Sequence, residues 1–526
     1  MVAIPWSSQL RTLAERYGDH TAVTDGCRMM SYNALSAQAH ALAARLERLG
    51  AGPGTPVATL LPNGLAAVWA SYGVRLAGAI EVPVNWRYTS EEISWCAQLV
   101  NLNYVVTLPN SETRLRAIGL EPVAIEEMGE PDDPGETRPP ARASSPGRIL
   151  FTSGTTGRPK AAVYTQYGRW AGEQLLKATL PFQPSAGSRL LLMTPFSHGA
   201  SLLTYAWCDY GGEVVLLDGV DTNRVLPLLY EGNLDAIFAP PTVLAKLVGA
   251  IKGDRIPGLR CIFTGTQPLP PTLYKHTREI FGPIVRITYG KTECVNPITV
   301  LGPEETERHF SSGSSGDGTC VGWASPGVEL EIRPVADCPP EIDGDGQVWL
   351  RAQQMSAGMI GAAGFEPHGP NGWHATGDLG HIDAQGRLML TGRMADVIKT
   401  GGYRVNPDEV EACLTGLDRC GRVCVTSVPS EYWGDVIIAI AEDTRRGWAD
   451  EAAARVKGLS RHKQPRAYIS IASLPRNAQG KVNRRDAARQ VLTEFDLIDG
   501  PHPKLAPRNT DTTANKDGVR LDVDSH

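Results

Sequence analysis

The sequence predicts an α/β protein in two parts. A large, multi-subdomain N-terminal domain carries layered α/β sheets and a small β-rich unit, and a small α+β domain follows it. Three observations predict this. Helical patterns alternate with short apolar strands as far as about residue 260, which is the signature of layered sheets covered by helices. Strand-like segments separated by Gly and Asp turns fill 341–392, and a fresh α+β pattern begins near 395. The 526 residues are ample for several cores.

Taken in order, Leu10, Leu13 and Tyr17, then Leu35, Leu42, Leu46 and Leu49, recur at helical spacing. Val57 to Leu61 reads as a buried strand that stops at the turn Pro62-Asn63-Gly64. Further strands are expected at Leu190–Met193, Val214–Leu217 and Ala236–Ala239. The Pro-, Gly-, Asp- and Arg-rich stretch 129–147 and the Ser/Gly stretch 311–319 read as loops. The organisation expected is a domain over 1–393, a hinge at 394–396, a mobile domain over 397–496, and a polar tail over 497–526 expected to be disordered.

The formal net charge is -6, with both signs interspersed, and reads as a solvated surface. No basic run suggests nucleic acid or a membrane surface. No apolar run approaches the ~18 residues of a spanning helix, and Met1 to Trp6 are not expected to act as a signal peptide. The ten cysteines include no Cys-x-x-Cys pair, so reduced thiols in a cytoplasmic protein are expected, with neither disulfides nor structural zinc.

The chemistry begins at Ile149-Leu-Phe-Thr152-Ser153-Gly154-Thr155-Thr156-Gly157-Arg-Pro-Lys160. A strand runs into a loop of glycines and hydroxyls closed by a lysine. Backbone N–H groups and hydroxyls in such a loop can approach phosphate oxygens. The spacing is not that of a Walker loop, and Ala161 to Tyr164 looks like a second strand rather than a helix. An ordinary hydroxyl-rich turn is the bland alternative.

Further motifs follow in order: Thr288-Tyr289-Gly290-Lys291-Thr292-Glu293, Gly372-Trp373-His374-Ala375-Thr376-Gly377-Asp378, Gly392-Arg393-Met394-Ala395-Asp396 running to Lys399 and Gly402, and Pro475 to Gly480-Lys481. Together with the loop they resemble the adenylate-forming superfamily over roughly residues 8–490. The detail Lys160-Ala161-Ala162 with Gln166 is nearest to the bacterial benzoate-type CoA ligases. Each residue type also fits the chemistry. Glu293 is a hard oxygen ligand suited to Mg²⁺, Thr292 can donate to a phosphate, and Asp378 has the short carboxylate that holds two ribose hydroxyls.

The resemblance implies ATP-dependent activation of a carboxylic acid to acyl-AMP, then thioester formation with coenzyme A. It implies catalytic roles for Lys481, His198, Thr292 and Glu293, with Glu293 also holding the metal. Thr152 to Gly157, Lys160, Gly265-Thr266-Gln267, Thr288, Tyr289, Gly290, Asp378 and Arg393 would bind nucleotide. Trp170, His198, Gly199, Ala200, Thr242, Thr264, Val295 and Asn296 would line the acyl pocket, a compact set suited to a small aromatic acid. Arg87, Gly401, Gly402, Trp433, His462 and Arg466 would contact coenzyme A, and Ala395 stands at the hinge where the family has a polar residue. A carrier protein is an alternative acceptor, and Gln464, which replaces a basic residue found among those ligases, leaves open a non-thiol acceptor such as an amine, or activation of an inorganic oxyanion such as nitrite.

Overall fold

A computed structural model of the chain describes residues 3–129, 138–152, 159–253, 255–312, 318–335, 345–476 and 481–508, with Arg404 described by its backbone alone. The chain divides into two compact units. The first comprises Met1–Ser314, Val321–Leu330 and Leu350–His374, and the second Ser315–Cys320, Glu331–Trp349 and Ala375–His526.

Two sheets organise the first unit. In one, Glu213–Leu216, Arg189–Leu192, Ala236–Phe238, Cys261–Gly265 and Val285–Lys291 run parallel, and Cys294–Leu301 turns back antiparallel on the last. These strands are almost continuously apolar because helices cover a parallel sheet on both faces. The other sheet runs in the order Gly364–Pro367, Gly358–Gly361, Lys160–Thr165, Pro146–Thr152, Ile80–Pro83, Pro56–Leu60, Tyr104–Thr107 and Glu121–Ala124. Helix Leu65–Leu76 is buried at every position, and its mostly apolar sequence carries Ser71 and Arg75 into the interior. Glycine permits the closest approaches. A Cβ at Gly172, in helix Gln166–Ala178, would lie 2.4 Å from Val295 Cγ1.

The expectation that charge lies on the solvated surface fails most fully in one cluster. Arg75, Glu81, Arg148, Arg169 and Glu173 are all buried in the first unit. Arg169 Nη2 lies 2.6 Å from Glu81 Oε2, Arg75 Nη2 lies 2.6 Å from Glu173 Oε1, and Arg148 Nε lies 3.5 Å from Glu81 Oε2. The Arg75 guanidinium also stacks on the Trp6 and Tyr205 rings, at 4.3 and 4.1 Å. These partners are distant in sequence, so a local reading of charge pattern does not pair them.

In the second unit, Gly434–Ala441 is flanked by Val423–Ser430 and Ile398–Thr400 and pairs parallel with Ala467–Ser470, with Tyr403–Val405 at the edge. Strand Leu388–Arg393 pairs antiparallel with the preceding strand, Asp378 opposite Arg393. The expected hinge lies inside this unit, in the 3₁₀ turn Met394–Asp396. Ties span that turn: Asn406 Nδ2 donates to Thr391 O, and Arg484 pairs with Asp396. Along the chain the last boundary between the two compact units falls at 374/375. The stretch from 497, expected to be disordered, carries a hairpin in its first part. Phe495–Ile498 and Lys504–Pro507 form an antiparallel hairpin, with Phe495 and Leu505 in the core; residues 509–526 lie outside the described set. Among the described residues no helix is long and apolar enough to cross a membrane, and the nine described cysteines form no disulfide.

The buried charges generate a test. Burial alone would raise the Glu81 carboxyl, but Arg148 and Arg169 hold it below its usual value of 4.5. Its contribution to stability is therefore complete above that value and is lost as pH falls through the depressed folded-state value. Glu81→Gln should lower the unfolding free energy of the first unit by about 3–5 kcal/mol in urea titrations at neutral pH, since it leaves buried guanidinium charge uncompensated. A change below about 1 kcal/mol would mean that the cluster contributes no more than a surface pair.

Candidate active site

The hydroxyl-rich loop closes a β-hairpin. Strands Pro146–Thr152 and Lys160–Thr165 pair antiparallel with Thr152 opposite Lys160, and the Lys160 side chain is exposed. Ser153, Gly154, Thr155, Thr156 and Gly157 lie outside the described residues. The second strand of this hairpin is fastened to another candidate segment: the buried Tyr164 hydroxyl donates to Thr292 O at 2.5 Å. Burial holds that phenol well above its usual value, so it remains a donor.

Thr292 and Glu293 are the two residues of a tight turn. Lys291 pairs with Cys294 on either side, so both side chains sit at the tip of the hairpin Val285–Lys291 and Cys294–Leu301. Glu293 O accepts from Ser356 N at 2.8 Å, and Ser356 Oγ lies 2.8 Å from His368 Nε2. His368 in turn meets His374 ring to ring at 4.8 Å. Sequence reading missed Ser356 and His368, whose part lies in contacts some sixty residues or more from the motif. Cys294 is buried, and its thiol is pushed upward by burial and then by Glu293, which keeps it protonated.

Strand Cys261–Gly265 delivers the loop expected for adenine. A Cβ at Gly265 would fall 2.3 Å from Thr288 O, so only glycine allows the register Gly265↔Thr288. Thr266 follows with φ 68, an uncommon conformation for a β-branched residue and one that concentrates at ligand sites. Gln267 is half-buried beside it, and Tyr289 is buried on the neighbouring strand. Gly290 is needed for close packing as well, since a Cβ there would collide with the Asn296 amide.

His198, Gly199 and Ala200 lie in the π-helical turn Phe196–Ala200, where His198 adopts non-helical angles of φ -120 and ψ -140. Asn63 pins this turn. Its Oδ1 accepts from Phe196 N, and its Nδ2 donates to Thr194 O and Leu217 O, each at 2.8 Å. Sequence reading saw only a turn at Asn63. Arg148 of the buried cluster donates to Ser201 Oγ, which donates to His198 O, both at 2.8 Å. Trp170 is half-buried on helix Gln166–Ala178, one residue from clustered Arg169, and Thr242 opens helix Pro241–Ala250. Val295 donates its N–H to Gln354 O at 3.1 Å. Thr264 Oγ1 and Asn296 Oδ1 are buried without a hydrogen-bond partner among the described residues.

In the second unit, buried Asp378 accepts at Oδ1 from Arg393 Nε at 3.1 Å, and Thr376 Oγ1 accepts from Asp378 N. Lys481 is half-buried just before helix Arg484–Glu494. Arg484, three residues on, is ringed by Asp396, Asp408 and Glu411 and fastens the Ala395 turn to the lysine's segment. Five of the six residues expected at coenzyme A are also here. Gly401 N donates to Trp433 O at 2.8 Å, the Arg466 guanidinium stands 3.9 Å from the Trp433 ring, and His462 stacks on Tyr403 at 4.2 Å. Gly401 and Gly402 both have positive φ. The sixth, Arg87, is in the first unit, exposed and paired with Asp218 at 3.0 Å. The Gln464 amide is spent on Leu459 O at 2.8 Å.

Known proteins resemble this chain in sequence and fold. Long-chain-fatty-acid–CoA ligase FadD13 of Mycobacterium tuberculosis is 28% identical over 474 residues, covering 86% of this chain and 91% of that protein. A 2-succinylbenzoate–CoA ligase of Listeria monocytogenes is 27% identical over 466 residues, covering 86% and 93%. The structure of o-succinylbenzoate CoA synthetase from Bacillus subtilis, in complex with the acyl-adenylate intermediate OSB-AMP, superposes with a TM-score of 0.81 at 25% identity, covering 92% of this chain and 98% of that one. The family described as AMP-binding enzyme matches residues 10–359, well over half of the chain, and the chain belongs to it.

Proposed function

We propose that this chain is an AMP-forming acid–CoA ligase that activates a small aromatic carboxylic acid.

 The reaction is carboxylate plus MgATP to acyl-AMP and pyrophosphate, followed by attack of the coenzyme A thiol on the acyl carbonyl with release of AMP. One observation carries the reading. The Tyr164–Thr292 hydrogen bond fastens the strand that closes the hydroxyl-rich loop to the Thr292–Glu293 tip. Phosphate-binding groups and a carboxylate suited to Mg²⁺ are thereby held on one scaffold, as adenylyl transfer requires.

Both reactants of the first step are anions, so their approach needs cations and donors placed where charge develops. Lys160 and the loop hydroxyls serve the departing pyrophosphate, and Thr292 donates to the α-phosphate. Glu293 would hold Mg²⁺, which supplies neutralising charge and orients phosphate oxygens. Asp378 holds the ribose hydroxyls, with Arg393 beside it. His198 stands by the substrate carboxylate, and Lys481 supplies the cation shared by carboxylate and α-phosphate. The substrate class rests on the compact set expected to line the acyl pocket, Trp170, His198, Gly199, Ala200, Thr242, Thr264, Val295 and Asn296. We assign the pivot between half-reactions to Ala395 and the mobile part to the residues after it. The Arg484–Asp396 pair then makes the Lys481 segment and the end of the pivot move as one body. A cytoplasmic setting would suit the nine described cysteines, which form no disulfide.

Lys481→Ala tests the two-step account. It should lower acid-dependent adenylation by about 10²–10³, the loss expected for one preorganised electrostatic contact. The same variant, given synthetic acyl-AMP and coenzyme A, should form thioester at close to the wild-type rate. Equal damage to both half-reactions would sink the alternating account. Ala395→Pro should show the reverse pattern, because it restricts φ at the pivot.

Asn63→Ala removes the hydrogen bond to Phe196 N in the turn that carries His198, together with those to Thr194 O and Leu217 O beside it. The acid KM should rise about tenfold in pyrophosphate exchange while the ATP KM holds. A rise in both together would show that Asn63 supports the whole unit rather than the acid site.

A further inference from the structure

The segment after residue 494 does more than end the chain. The hairpin Phe495–Ile498 and Lys504–Pro507 turns at Asp499 and Gly500, and that turn grips the loop carrying Trp433. Asp499 Oδ1 accepts from Ser430 Oγ at 2.7 Å, and its Oδ2 accepts from Glu431 N at 2.6 Å and Tyr432 N at 3.2 Å. Ser430 Oγ in turn accepts from Trp433 N at 2.8 Å. Gly500 O takes the indole N–H of Trp433 at 2.9 Å. The hairpin's Phe495 and Leu505 belong to the apolar cluster against which Trp433 packs.

The indole is thus held at its ring nitrogen by the hairpin and at its backbone by Ser430 and by Gly401 N. What is held is a flat aromatic surface with a cation on it. The Arg466 guanidinium stands 3.9 Å from the ring, and a Cβ at Gly401 would come within 2.8 Å of Trp433 Cε3 and Cζ3. An aromatic face with an adjoining guanidinium suits a heteroaromatic base that carries phosphate. An unclamped tryptophan would lose rotamer freedom on each binding event, and fixing it beforehand removes that cost from the affinity.

We propose that the Asp499–Gly500 turn is the positioning element of the acceptor site: it presets Trp433 for the adenine nucleotide of coenzyme A. This rests on the coenzyme A reading above. Asp499 touches no substrate and acts through Ser430 and the 431–433 backbone. The C-terminal hairpin is therefore part of the thioester step and not only a cap on the second unit.

The test compares Asp499→Ala, Asp499→Asn and Trp433→Ala in steady-state thioester formation, with coenzyme A varied at saturating acid and ATP. Asp499→Ala should raise the coenzyme A KM about tenfold with kcat within about twofold of wild type. Asp499→Asn, which keeps one carbonyl acceptor, should recover part of that loss. A coenzyme A KM that rises in Trp433→Ala but stays at the wild-type value in Asp499→Ala overturns the role of the hairpin alone. An unaltered KM in both variants overturns the coenzyme A platform and this inference with it. Loss of pyrophosphate exchange in parallel with thioester formation in Asp499→Ala would show that the turn only supports the fold, and would also overturn it.

Discussion

Three guanidinium groups share two carboxylates in the interior of the first unit, and the candidate acid site depends on that arrangement. Burying charge is costly unless every partner is in place, so Arg75, Glu81, Arg148, Arg169 and Glu173 fix the elements that carry them. Glu81 lies on strand Ile80–Pro83, Arg148 on the strand that enters the hydroxyl-rich loop, and Arg169 and Glu173 on the helix of Trp170. Through Ser201 the cluster reaches the carbonyl of His198. The root of the loop, the pocket helix and the histidine turn are consequently set by one network. A small displacement of any of them would leave a buried charge unpaired.

A second constraint acts through glycine. Gly172 against Val295, Gly265 against Thr288 and Gly290 against Asn296 bring backbone or side chains closer than any Cβ allows. These contacts pack the segments expected to line the acyl pocket and to meet adenine into one body. Thr266, at φ 68, holds its loop in a conformation that the surroundings must maintain. The polar atoms left over, Thr264 Oγ1 and Asn296 Oδ1, lie in the segments expected to line the acyl pocket.

Much of this was legible in the sequence, because it is written locally. Apolar runs such as Leu190–Met193 and Val214–Leu217 placed the parallel strands to within one residue. The order of the motifs identified the family, and the pairing of Thr152 with Lys160 bears out a strand after the loop. What was not legible depends on partners far apart in the chain. Arg148 and Glu81 look like surface charges until the sheet brings them together. Asn63 marks a turn in sequence, whereas its three bonds go to residues 131 to 154 positions away. The polar composition after 497 hides a hairpin whose few apolar residues, Phe495, Leu497 and Leu505, suffice because they join an existing core.

The central claim is that the chain activates a carboxylic acid by transferring the adenylyl group of ATP to it. Exchange of labelled pyrophosphate into ATP measures that step without any acceptor. With Mg²⁺ present and a panel of small aromatic and aliphatic acids supplied one at a time, the account predicts exchange that depends on acid and is strongest with a compact aromatic acid. Exchange absent with every acid in the panel, or present to the same extent with no acid added, would contradict it.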